Sequence, residues 1–249
     1  MIAMLGMYDM PAIQPANDRF WSLIRNHLGT GPERLTRDAD VWQVWRAPDL
    51  VLTQTCGMPY RTCLHPDVTL IGTPDYGLPG CPPGYYRSVL IAHKDASGET
   101  EADFAGGRFA YNEALSQSGW AAPMTHLAGL GLRFGSVVRT GSHAGSARAV
   151  ADRRADLAGL DALTWALLQS HDPVVQRLKV IATTPPTPGL PYITARQRDP
   201  APIARAIRAA IADLAPQDRA ALHLRGLADI DSSAYLAIPT PPGPDEFTP

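Results

Sequence analysis

Short, unbroken apolar runs that stop abruptly in polar turns constrain this 249-residue chain most. Residues 49–53 (DLVLT) run into Gln54-Thr55-Cys56-Gly57, 68–72 (VTLIG) into Thr73-Pro74-Asp75-Tyr76, and 108–111 (RFAY) into Asn112. Residues 86–93, 136–139, 156–160, 178–182 and 192–195 are of the same kind, and 2–8 form a first run that ends at Tyr8. Runs without polar alternation read as strands buried on both faces. Helical stretches separate them. The clearest is 202–214, with Ile203, Ile207, Ile211 and Leu214 at helical spacing. Others are expected from Asn17 or Asp18 to Leu28, from Ser118 to about Leu130, at 143–153 and at 162–168. Strands alternating with helices predict an α/β fold with a largely parallel sheet. Ligands of such sheets collect at the carboxyl ends of strands, where Tyr8, Thr55, Asp75 and Ser116 fall.

Residues 108–120 (RFAYNEALSQSGW) hold the most chemistry. An apolar run, a hydroxyl-rich turn and a helix-forming run follow one another. A helix N-terminus there offers unpaired N–H groups and partial positive charge. Ser116 and Ser118 can cap that helix, or they can point hydroxyls at an anion. Pro123 is the difficulty, because it lies just past the first turn of a helix capped by Ser118 and deletes one backbone bond. Thr140-Gly141-Ser142-His143 repeats the arrangement one strand later, and an imidazole can donate to an oxyanion. Asp161 follows the next apolar run, ahead of Thr164 and Trp165. Beside an anion a carboxylate is unfavourable unless the ligand brings a proton, an ammonium or a hydroxyl to it. Its other reading is an N-cap for the helix at Ala162.

The composition, 45% apolar and 18% charged, is that of a globular chain. A net charge of −2 and scattered arginines give no footprint for nucleic acid. No apolar run reaches the roughly 18 residues that span a bilayer. The opening MIAMLGMYDMP lacks the basic region of an export signal, so the chain is expected to be cytoplasmic or to lack an upstream signal. Cys56, Cys63 and Cys81 are odd in number, which permits one bridge and a thiol; Cys56 to Cys81 would pin the loop at 77–85, and two buried thiols are the alternative. Their spacing fits no standard zinc module, and no metal or cofactor is expected. There is no G-x-S-x-G elbow, P-loop or G-x-G-x-x-G fingerprint. The Pro-rich segment at 184–191 reads as a hinge or crossover, and the Pro-rich tail after Ile238 as frayed or draped on the surface.

Five words occur in order: LTQTCGMPY at 52–60, GTPDYGLPGCPPGYYRSVLI at 72–91, YNEALSQSGW at 111–120, TGSHAGSARAVADRRADLAGLDALTWAL at 140–167 and PGLPYITA at 188–195. Over roughly residues 1–215 the chain resembles the phosphate/phosphite/phosphonate-type substrate-binding proteins of ABC transporters. The resemblance implies the type II periplasmic-binding fold: two Rossmann-like lobes, 1–93 plus 187–249 and 94–186, with a cleft that closes on a ligand. It implies a monomer in the periplasm that hands a small oxyanion to an ABC permease or signals to a sensor domain. Ser116-Gln117-Ser118 takes the place of the family's oxyanion-holding tripeptide, with Gln117 for the central hydroxyl residue. His143 and Asp161 match its next two polar positions, with Ser142 and Trp165 beside them. Tyr8, Gln54, Thr55 and Tyr76 match first-lobe contacts. A cytoplasmic enzyme of the same fold, with lyase- or transferase-like action on a small anion, is the alternative.

Overall fold

The apolar runs form strands in a computed structural model that describes residues 1–246. In chain order the strands are β1 (Ile2–Met4), β2 (Leu50–Gln54), β3 (Val68–Asp75), β4 (Tyr85–Tyr86), β5 (Ser88–His93), β6 (Arg108–Tyr111), β7 (Ser136–Arg139), β8 (Leu157–Asp161), β9 (Leu178–Thr183), β10 (Thr187–Pro188), β11 (Tyr192–Ala195) and β12 (Gly226–Ala228). They sort into two α/β units. Met1–Tyr85 with Pro188–Ala237 make the first; Tyr86–Thr187 with residues 238–246 make the second.

The first unit's sheet runs β1-β2-β11-β3-β12. Helices Gln14–Leu28 and Pro200–Asp213 pack on each other, and their Phe20, Trp21, Ile24, Ile203, Ile207 and Ile211 are all buried. Pro15 lies in the first turn of its helix, where a missing N–H costs nothing, so the helix starts earlier than Asn17. On the other side Trp45, Leu50, Tyr60, Ile193 and Tyr235 share a cluster. Tyr235 comes from Ser232–Leu236, a helix that the sequence pattern does not announce. Its hydroxyl donates to the Gly189 carbonyl (3.0 Å) and bonds Thr73 Oγ1 (2.5 Å).

The second unit's sheet runs β7-β6-β8-β5-β9 over a cluster of Leu90, Phe109, Tyr111, Trp120, Leu127, Phe134 and Leu157. Here β6 is parallel to β7 and β8.

Neither sheet is largely parallel. In the first, β11 lies antiparallel between β2 and β3; in the second, β5 lies antiparallel between β8 and β9. These are the strands that follow the first two of the chain's three passages between units. Each is fully buried and apolar like its parallel neighbours, so direction leaves no mark in its composition. β4 and β10, which carry those two passages, pair with each other.

Three further expectations are corrected. The first run ends at Met4, and Tyr8 sits in a 3-10 turn, Gly6–Tyr8. The unit boundary falls before Ser88, because β5 is bonded along its length to β8 and β9. The tail, described to Glu246, belongs with the second unit rather than the first; it is draped on the surface as one of the two expected alternatives, with the Trp120 indole N–H donating to the Pro242 carbonyl at 3.0 Å. No helix among the described residues is long and apolar enough to cross a membrane.

Candidate functional site

In the second unit the predicted residues gather where β6, β7 and β8 end. Two backbone bonds tie the first two ends together, from Thr140 N–H to the Tyr111 carbonyl and from Gly141 N–H to the Asn112 carbonyl, each 2.9 Å. The turns after β6 and β7 therefore lie side by side.

Ser116 caps the first turn, its Oγ accepting from Gly119 N–H at 2.9 Å. Its carbonyl accepts from Ala121 N–H at 2.9 Å, five residues on, which makes Gln117–Ala121 a π-turn. Wide turns of this kind recur at functional sites. This turn also answers the Pro123 difficulty. The regular helix is Ala122–Gly129, and Pro123 falls in its first turn, where its ring is tolerated. Two glycines let the turn sit close. Asn112 Oδ1 lies 1.8 Å from where a Cβ on Gly119 would be, and Pro123 Cγ lies 2.5 Å from where one on Gly159 of β8 would be.

Ser116, Gln117 and Ser118 are all buried. Ser118 Oγ is 3.0 Å from His143 Nε2, so residues 25 apart in sequence form one polar pair. Ser142 beside it is exposed and caps the helix His143–Ala151, accepting from Gly145 N–H at 2.9 Å. Burial lowers the His143 pKa from 6.5 to about 4 against a smaller opposing pull from the Gly159 backbone. The imidazole is thus neutral at neutral pH, and its Nδ1 is out of solvent without a hydrogen bond of normal geometry.

Asp161 ends β8, one residue later than its run suggests, and is 2% exposed. Its Oδ1 accepts from Leu163 N–H (2.8 Å) and Thr164 N–H (3.0 Å), which is the N-cap arrangement for Ala162–His171. Trp165 is buried in the first turn of that helix.

In the first unit Tyr8, Gln54 and Tyr76 come together. The Tyr8 and Tyr76 rings meet edge-on at 5.3 Å. Gln54 Nε2 donates to the Tyr76 hydroxyl and the Leu190 carbonyl, both 3.0 Å, so it orients Tyr76. Tyr192, absent from the sequence reading, also bonds Tyr76, and burial pushes its own hydroxyl pKa well up. Thr55 is fully buried, its N–H on the Pro191 carbonyl. Of the two alternatives for Cys56 and Cys81 the structure has thiols rather than a bridge, half-buried rather than buried, and Cys63 is likewise a thiol. Cys56 instead opens the helix Gly57–Pro59, and Cys81 N–H closes a turn on the Leu78 carbonyl.

The His143 environment gives a pH dependence. The unfolded chain takes up a proton at this residue near pH 6.5, the folded one only near 4. Its contribution is therefore complete above 6.5 and is lost as pH falls toward 4, on the order of 2 kcal/mol after allowing for partial exposure. Carboxylates held low by their partners, such as Asp156 by Arg108 and Asp218 by Arg19, lose stability over a lower window. Urea denaturation of wild type and His143→Asn at about pH 7 and about pH 4.5 separates the two effects. The variant should lose less stability between them, and an equal loss would refute the assignment.

Residues 55–235 match the family described as the periplasmic substrate-binding protein of phosphonate ABC transporters. No curated protein matches in sequence. Among solved structures, the chain is similar to a binding protein component of an ABC phosphonate transporter from Pseudomonas aeruginosa, at 17% identity, with 95% of this chain and 83% of that one covered and a TM-score of 0.71. It is similar to PhnD1 from Prochlorococcus marinus in complex with methylphosphonate, at 17% identity, 89% and 90% coverage and a TM-score of 0.67. A Xanthomonas citri protein bound to chloride ion is similar at 14% identity, 94% and 92% coverage and a TM-score of 0.64. At these identities the likeness is one of fold.

Proposed function

The chain belongs to the family of periplasmic substrate-binding proteins of phosphonate ABC transporters, and from that premise we propose that it captures a small phosphonate- or phosphate-like oxyanion at the carboxyl edge of β6–β8. Membership makes it a ligand-capturing component of transport. The observation that carries the choice of ligand is the buried turn Ser116-Gln117-Ser118 at a helix start, with Ser118 Oγ 3.0 Å from a neutral imidazole. Backbone N–H groups and two hydroxyls there can donate to a compact anion, and the helix terminus adds about 0.3–1 kcal/mol, up to ~2 when partly buried. The polar set of the first unit, Tyr8, Gln54, Thr55 and Tyr76, is proposed to be ligand-binding as well. The partner is proposed to be an ABC permease or a sensor domain, and the place of action the periplasm.

Hydrolysis is poorly served by the same pair. A base of pKa about 4 sits far below neutral pH.

Isothermal titration with methylphosphonate, aminoalkylphosphonates, phosphite, phosphate, a sulfonate and a carboxylate tests the reading. Micromolar binding of a phosphorus oxyanion, with the ligand recovered intact, is the expected result. Turnover, or no oxyanion binding at all, overturns it.

A further inference from the structure

Ser88 opens β5 and is followed by the wholly apolar Val89-Leu90-Ile91-Ala92. Because β5 runs against β6–β8, its first residue lies at the edge where those strands end. The register sets Ser88 directly across from Asp161. Cross-strand partners have their Cβ atoms about 4.5–5.5 Å apart.

The backbone of Ser88 is satisfied. Its N–H donates to Thr184 Oγ1 and its carbonyl accepts from Thr184 N–H, both 3.0 Å. The side chain is not. Ser88 is 1% exposed, and its Oγ has no hydrogen-bond partner among the described residues. A buried hydroxyl left so is costly, and alanine at this position would avoid the cost. The Asp161 oxygen whose partners are known is engaged with the helix behind it. One more buried polar atom without a partner among the described residues, Asn112 Oδ1, belongs to the turn after β6. Ser88 Oγ and Asn112 Oδ1 thus both lie at the edge carrying Ser116–Ser118.

We propose that Ser88 is a ligand-binding residue whose hydroxyl donates to an oxygen of the small oxyanion held at that edge. The inference rests on the function proposed above and adds a residue that the turn motifs do not contain. The donated bond is charge-assisted, hence among the stronger kinds. It also places a donor beside Asp161, so that the anion meets a hydroxyl there as well as a carboxylate.

Titrating wild type, Ser88→Ala and Ser88→Cys with methylphosphonate and with inorganic phosphate, alongside thermal unfolding without ligand, tests it. Ser88→Ala should bind the better of the two about 10-fold or more weakly, while its ligand-free melting temperature is not lowered. Ser88→Cys, near in shape and a weak donor, should fall between, and it decides the matter if Ser88→Ala does not fold. Unchanged affinity in both variants overturns the proposal. So does a lowered ligand-free melting temperature in Ser88→Ala, which would make the hydroxyl structural. Wild type that binds neither probe overturns the functional reading itself, an outcome visible before any variant is compared.

Discussion

Gly159→Ala should cost the protein both stability and ligand affinity. The new Cβ would lie 2.5 Å from Pro123 Cγ, 3.3 Å from Pro123 Cβ and 3.0 Å from the Ser118 carbonyl oxygen. A proline ring and a backbone oxygen cannot swing aside as the end of a long side chain can. β8 is buried at every residue, so the strand cannot retreat either. Overpacking of this kind costs about 1–3 kcal/mol, or roughly 2–12 °C in melting temperature for a chain of this size. The movable part is the π-turn, and moving it breaks the 3.0 Å approach of Ser118 to His143. Affinity for the oxyanion should therefore drop with the melting temperature. Adding Pro123→Ala should restore part of the stability, since the two sites share one clash. Wild-type melting and wild-type affinity in Gly159→Ala would show that the turn does not rest on this strand.

Ser118→Ala should instead separate binding from folding. The Ser118 hydroxyl caps no helix; its partner is His143 Nε2. Losing a donor from a buried site weakens binding by about 1–3 kcal/mol, read by titration with methylphosphonate or phosphate. The ligand-free melting temperature should change little. Ser116→Ala makes the contrast, because the Ser116 hydroxyl holds Gly119 N–H and its loss costs a cap, about 0.5–2 kcal/mol of stability. Unchanged affinity in Ser118→Ala would remove this residue from the proposed site.

Much of the second unit's edge was legible in order along the chain. Apolar runs ending at Tyr111 and Arg139 and hydroxyl-bearing turns after them announce strand, turn and helix start, because capping chemistry is local. The meeting of Ser118 with His143 was not legible. It depends on β6 and β7 being neighbours with their ends tied by Thr140 and Gly141, a long-range fact. The signal for Ser88 was present but faint: one hydroxyl residue opening a strand whose next four residues are apolar. Its meaning needed the antiparallel register that sets it opposite Asp161. Tyr192 was hidden in the same way, read as strand and never as the partner of Tyr76. The unit to which the tail belongs was hidden for a related reason, since Pro-rich composition describes a segment's own stiffness and says nothing of the indole at Trp120.

Sequence alone determined the α/β class, because buried strands, caps and punctuating turns follow from side-chain chemistry within a few residues of one another, and its five ordered words carried the resemblance to the family. Tertiary structure decided the direction of β5 and β11, the π-turn that accommodates Pro123, the unit to which Ser88 and the tail belong, and the pairing of a serine with a distant histidine. A strand buried on both faces has the same composition whichever way it runs, and a hydroxyl has no fixed partner until folding supplies or withholds one.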